Sequence, residues 1–225
     1  MKNGMYTMMT AVLTAFLAGC GPHPRISILG DSYSTFAGWI PEGHATYYPN
    51  PAGDVERVED CWWHLVIEEL HGRLEKNESW SGSTVCHTGY DGADTRGWSF
   101  VSRTGLLGNP DLILVCGATN DNWAGSPLGE FKWEDWTEQE LFSFRPAMAK
   151  MLADLKRLYP KARIAFILNS ELKEEINDSV HRICAHYEVP CIDLEQIDKQ
   201  NNHPSTRGMK AIAGQVVQAF KGEVK

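Results

Sequence analysis

Four short polar stretches, far apart in the chain, hold the residue types that acyl chemistry requires: Gly30-Asp31-Ser32, Ser81-Gly82-Ser83, Asn120-Asp121 and His203-Pro204. A serine hydroxyl becomes a nucleophile beside a base, and histidine supplies one near neutral pH. Attack on a carbonyl places negative charge on oxygen, and that charge needs donors already in position. Gly82 has no Cβ, so its N–H can approach a substrate closely, and the Asn120 carboxamide offers an N–H without adding charge. Singly, each residue has a plainer role: Ser32 and Ser34 as helix caps, Asn120-Asp121 as a turn, His203 as a loop histidine. Asp31 and Asp121 read as scaffold groups that hydrogen-bond loop backbones; Arg103 could bind an anion in the cleft, with a surface or loop-bracing arginine as the plainer reading.

These groups can meet only if strands deliver them to one edge. The β-branched run Ile26–Leu29 predicts a strand ending at Gly30, and Glu78–Trp80 a short one leading into Ser81-Gly82-Ser83. Asp111–Cys116 and Ala162–Leu168 are near-continuous apolar runs, the mark of strands buried on both faces, and Pro190–Leu194 predicts a last strand. Apolar residues at helical spacing predict helices over Cys61–Leu74, Glu138–Leu158, Leu172–Tyr187 and Ser205–Phe220, with a short helix and loops over Asp94–Leu107. Alternating strands and helices imply an α/β fold, a three-layer α/β/α sandwich with a mostly parallel central sheet. In such a sheet all strand C-termini emerge on one edge, where ligands bind. Thr35–Glu59 is a long irregular loop whose Phe36, Trp39, Tyr47 and Tyr48 suit an ordered cleft wall. Trp123–Trp136 is a second irregular insertion, and Trp123, three residues after Asn120, is a candidate substrate wall.

The net charge of -8, with no basic stripe, excludes a nucleic-acid partner. The chain begins with Lys2 and an apolar stretch, Met8–Leu17, too short for a comfortable membrane span. It ends in Leu17-Ala18-Gly19-Cys20, which resembles the bacterial lipobox. That resemblance implies cleavage before Cys20, lipidation of its thiol, and an exported lipoprotein held on a membrane and facing the periplasm or cell surface. The organisation expected is a signal peptide over 1–19, lipidated Cys20 and a tether over 20–25, and one domain over 26–225. Of the five cysteines after Cys20, an odd number, Cys116 reads as core. Cys184 and Cys191 could bridge a helix end to the next strand or stand as two buried thiols. No Cys/His spacing suggests zinc, and no metal or cofactor is assigned.

The set Ser32, Gly82, Asn120 and His203, in that order, resembles the SGNH (GDSL-like) hydrolase family across essentially all of the mature chain. Gly30-Asp31-Ser32-Tyr33-Ser34 matches the first block, with Tyr33 where Leu is commonest. Gly82 matches the second block, Asn120-Asp121 the third and His203-Pro204 the fifth. The resemblance implies a flavodoxin-like SGNH fold, attack by Ser32 on an ester carbonyl with His203 as base, and an oxyanion hole from the Ser32 N–H, the Gly82 N–H and Asn120. Two positions depart from the pattern. Ala118 stands where the family commonly has Gly, and Gln200 where it has the Asp that orients the histidine. Asp198, Glu195 or a backbone carbonyl could hold the ring instead, or Ser32 and His203 could act as a dyad.

The resulting expectation is a serine esterase acting on small acyl, chiefly acetyl, esters, with an oligosaccharide ester or other small molecule as substrate. Acyl transfer would use the same Ser32. A non-catalytic carbohydrate-binding lipoprotein on this fold is the reading from another class, favoured by Gln200 alone.

Overall fold

Leu112–Gly117 (β3) is buried at every position because it lies in the middle of a sheet covered on both faces. In the computed structural model, which describes residues 23–221, β3 pairs in parallel with β1 (Arg25–Gly30) on one side and β4 (Arg163–Leu168) on the other. β2 (Arg73–Ser79) and β5 (Cys191–Asp193) complete the order β2-β1-β3-β4-β5. This is the doubly wound order whose switch point, the place where successive strands depart to opposite sides, falls between β1 and β3.

Alternate residues of each strand feed two cores. Leu112, Leu114 and Cys116 of β3 face Ile26 and Ile28 of β1 and the helices α1 (Trp62–Glu69) and α6 (Thr206–Lys221). Ile113 and Val115 face α2 (Phe100–Arg103), α4 (Phe144–Leu158) and α5 (Glu174–His186). α4 shows how the pattern works: Phe144, Ala147, Met148, Met151, Leu152 and Leu155 recur at helical spacing and are all buried. The remaining elements are α3 (Thr119–Ala124) after β3 and a two-stranded ribbon of β6 (Lys199–Gln200) and β7 (His203–Pro204). The three-layer α/β/α sandwich is as the sequence pattern implied.

Boundaries differ in instructive places. The first helix stops at Glu69 rather than Leu74, and His71 takes a positive φ of 53° before β2 begins at Arg73. β2 is therefore longer than Glu78–Trp80. Its sequence, Arg-Leu-Glu-Lys-Asn-Glu-Ser, lacks an apolar run because it is an edge strand with one neighbour. The helix expected from Glu138 is a 3₁₀ turn, Glu140–Phe142, then extended Ser143 and α4. Trp123 belongs to α3 rather than to the insertion that follows it.

All five cysteines among the described residues are free thiols. Cys184 and Cys191 touch across the α5–β5 connection without a bridge. Among these residues no helix is long and apolar enough to cross a membrane. The signal segment and Cys20 lie outside the described residues.

Candidate active site

Ser32 sits two residues beyond β1, in a one-turn 3₁₀ helix, Ser32–Ser34. Asp31 caps that turn: its carboxylate accepts the Tyr33 N–H at 3.0 Å. Gly30 is needed for space rather than for its backbone angle. A Cβ there would stand 2.6 Å from Ser34 and from the Ser79 hydroxyl. Asp31 is fully buried, and burial pushes its carboxyl up to about 7 against the Tyr33 N–H and the Arg103 charge, which lower it.

His203 comes to Ser32 on the β6–β7 ribbon. Asn201 and Asn202 link its strands, both with positive φ (49° and 62°), the geometry of a type I′ hairpin turn that favours Asn. The turn folds the Asn201 carbonyl back onto His203 Nδ1 at 3.0 Å. A carbonyl can only accept, so Nδ1 carries the proton and Nε2 is a free acceptor. Nε2 lies 3.0 Å from Ser32 Oγ, which donates to it. Burial lowers the His203 pKa, and the Asn201 carbonyl partly offsets that.

Neither acid named from the sequence reaches the ring. The Asp198 carboxylate accepts from the Ser205 hydroxyl, and Glu195 is tied through its own backbone to Gln215. Asp198 is one residue before the ribbon, and its carboxylate is taken by the Ser205 hydroxyl, whose oxygen accepts the Gly208 N–H at the start of α6. Among the sequence alternatives, the backbone carbonyl is the one in place.

The loop after β2 carries Gly82 with φ 79°, a conformation that disfavours side chains. Among the described residues neither the Ser32 N–H nor the Gly82 N–H has a protein acceptor. Asn120 Nδ2 donates to the Ser83 carbonyl at 2.9 Å, and its Oδ1 accepts from the Tyr90 hydroxyl at 2.7 Å. With the oxygen occupied by Tyr90, the second Nδ2 hydrogen is the free one. Asp121 accepts the Val85 and Cys86 N–H groups at 2.8 and 3.2 Å, and burial raises its pKa to about 6. Arg103, buried, donates to the carbonyls of Trp98, Glu78 and Gly30 and to the Ser83 hydroxyl. Asp121 and Arg103 are thus the loop braces that the sequence suggested, and they set Gly82 and Ser83 against the end of β1.

A family model for GDSL-like lipase/acylhydrolase matches residues 24–220. The chain belongs to that family. It is 48% identical to a protein of Bacteroides ovatus described as a GDSL-like lipase, covering 89% of this chain and 99% of the other at a TM-score of 0.88. A counterpart from Bacteroides uniformis is 49% identical, with 92% and 99% covered and a TM-score of 0.88. A family two carbohydrate esterase from Clostridium thermocellum, solved in complex with cellohexaose, shares the fold at 17% identity. There the TM-score is 0.59, and 88% of this chain and 63% of that one are covered. No curated protein matches this chain.

Against the GDSL-like pattern, the departures now have local causes. Gln200 pairs with His203 across the ribbon, and it is the Asn201 carbonyl that occupies His203 Nδ1. Tyr33, in place of Leu, donates its hydroxyl to the Asn202 carbonyl at 2.7 Å and so ties the hairpin turn to the Ser32 turn. Ala118 adopts φ 72°, where a glycine would be relaxed.

The long loop after Ser34 is an ordered wall. Tyr48 donates to the Pro204 carbonyl at 2.7 Å, and Ala52 accepts from Asn201 Nδ2 at 2.6 Å. Trp123, 40% exposed, lies edge-on to His203 with centroids 6.2 Å apart, and Tyr90 is equally open at 42%. The Tyr47 ring lies flat on the imidazole, 3.5 Å between centroids and 7° between planes. Sequence reasoning missed Tyr90; it offered a backbone carbonyl without naming Asn201, and placed Tyr47 in the cleft wall without its stacking on His203. The Asn-Asn dipeptide between Gln200 and His203 was a readable turn signal; nothing local marked Tyr90 or the stacking of Tyr47.

Proposed function

We propose that this chain is a serine esterase that removes small acyl groups, chiefly acetyl, from carbohydrate esters. The observation that carries it is the 3.0 Å contact between Ser32 Oγ and a His203 Nε2 whose other nitrogen is held by a backbone carbonyl. Ser32 Oγ attacks the ester carbonyl carbon while its proton passes to Nε2. The carbonyl oxygen becomes an oxyanion facing the Ser32 N–H, the Gly82 N–H and the free Asn120 Nδ2 hydrogen. Collapse breaks the bond to the alkoxy oxygen, which leaves with the proton from His203. Water then attacks the acyl-Ser32, losing its proton to Nε2, and the carboxylic acid departs as Ser32 is restored. His203 acts throughout without a carboxylate partner.

The carbohydrate assignment is supported by the exposed rings of Trp123 and Tyr90 beside the site, by the pairing of Trp80 with Trp98 at 6.0 Å, and by the fold shared with a carbohydrate esterase. The Leu17–Cys20 motif supports export and lipid anchoring, which would present the site to saccharides outside the cytoplasm. The test is hydrolysis of p-nitrophenyl acetate by the purified domain, with a serine-reactive phosphonate as label. Turnover and labelling that vanish in Ser32→Ala are expected. An unlabelled, inactive wild-type protein would sink the esterase reading. Acetylated oligosaccharides, followed by mass loss of acetyl, then define the substrate.

A further inference from the structure

The imidazole of His203 meets an orienting group along its edge, at Asn201, and another across its face, at Tyr47. Four aromatic rings surround it. Tyr33, Tyr48 and Trp123 are tilted or edge-on, at 57°, 80° and 63° and centroid distances of 5.5, 6.4 and 6.2 Å. Tyr47 alone among them is parallel, at 3.5 Å and 7°. We infer that Tyr47 is the positioning residue for His203, holding the imidazole plane and stabilising the imidazolium that forms during each proton transfer. This rests on the Ser32–His203 reading above.

The fold fixes Tyr47 independently of the histidine. Its N–H donates to Thr35 Oγ1 at 2.9 Å, and that hydroxyl donates to the Ser32 carbonyl at 3.1 Å. Its ring also meets Tyr48 edge-on at 4.8 Å, and the Tyr48 hydroxyl holds the carbonyl of Pro204, next to His203. The loop that carries Tyr47 is therefore tied at one end to the nucleophile and at the other to the base. An aromatic face carries negative charge density, so a cation lying on it is stabilised in the way a carboxylate would stabilise it, though more weakly.

Among the described residues no ionised group stands beside the ring to compete for that role. The titratable groups facing the ring are the phenols of Tyr33, Tyr47 and Tyr48, all pushed above their usual range by burial and hence neutral. Asp31 lies behind, where its carboxyl accepts the Tyr33 N–H and burial pushes its pKa up to about 7. Burial lowers the His203 pKa and the Asn201 carbonyl raises it.

The experiment is the pH dependence of kcat/KM for p-nitrophenyl acetate in wild type, Tyr47→Leu and Tyr47→Phe. Leucine keeps the ring covered but removes the π face. In Tyr47→Leu the plateau falls roughly 5- to 30-fold and the acid limb moves to lower pH by about half a unit to one unit, the range of a partly to fully desolvated cation–π contact. Tyr47→Phe restores most of both. Phenylalanines carrying one, two or three fluorines at position 47 keep the shape while draining the face of charge, and the limb then moves stepwise downward. They serve as the decisive series if Tyr47→Leu folds poorly. An acid limb unchanged in Tyr47→Leu or across the fluorinated series overturns the inference, as does a Tyr47→Phe as impaired as Tyr47→Leu. If instead Ser32→Ala retains full turnover, the esterase reading fails, and that outcome is separate from any Tyr47 result.

Discussion

Replacing Asn120 by alanine separates the chemistry of the site from its scaffold. Asn120 is 3% exposed and its amide is fully specified: one hydrogen goes to the Ser83 carbonyl, the oxygen takes the Tyr90 hydroxyl, and one hydrogen is left over. If that hydrogen faces the oxyanion, its loss lowers kcat by about 10²–10³, or roughly 3–4 kcal/mol of transition-state stabilisation. The same change leaves the buried Ser83 carbonyl without its donor, at a stability cost of about 1–3 kcal/mol. Tyr90 is 42% exposed, so water replaces its lost acceptor at little cost. The two effects are read apart. Steady-state kinetics on p-nitrophenyl acetate, well below the melting transition, give kcat and KM, while urea unfolding gives stability. The expected pattern is a large fall in kcat, little change in KM and a modest shift in the urea midpoint. A kcat within about threefold of wild type in a folded Asn120→Ala protein would remove Asn120 from the oxyanion site, since the smallest measured donor effects are tens of times larger.

Four further outcomes follow from the same structure. Asp198→Asn leaves the pH profile of kcat/KM in place, because its carboxylate serves Ser205; a loss approaching the ~10⁴ seen when an orienting acid is neutralised would show that it reaches His203 after all. The acid limb of wild-type kcat/KM lies below the ordinary imidazole value, because burial lowers the His203 pKa and the base must be neutral to act; a limb above that value contradicts the burial argument. Ala118→Gly raises stability by about 1 kcal/mol, seen as a higher urea midpoint at constant m-value, because φ 72° strains alanine; an unchanged or lower midpoint refutes it. Asp31, raised to about 7, holds its proton in the native state when the unfolded chain has already lost it. Its contribution to stability therefore falls as pH rises from the ordinary carboxylate value to about 7, so Asp31→Asn should remove a negative component from the slope of stability between pH 5 and 7. An identical slope in variant and wild type would place that proton elsewhere.

Strands with two covered faces are legible as runs of apolar residues, so β1, β3 and β4 could be read from the sequence nearly to their ends. β2 could not, because an edge strand may be polar, and the end of its preceding helix turned on His71 entering a left-handed conformation. Three of the four polar stretches follow strands of the parallel sheet, which brings its strand ends to one edge by topology alone, whatever the distance in sequence; His203-Pro204 comes instead on the β6–β7 ribbon. Residue type at Ser32, Gly82, Asn120 and His203 therefore determined which chemistry was available. The tertiary structure decided which groups surround those four. A backbone carbonyl has no side chain to announce it, so Asn201 became the partner of His203 only when a two-residue turn bent it back. Tyr90 and Tyr47 look like any other loop tyrosines until long-range packing lays one against an amide and the other flat on an imidazole. Asp198, nearest to the missing acid in sequence, was drawn away because the start of α6 offered its carboxylate a closer hydroxyl at Ser205.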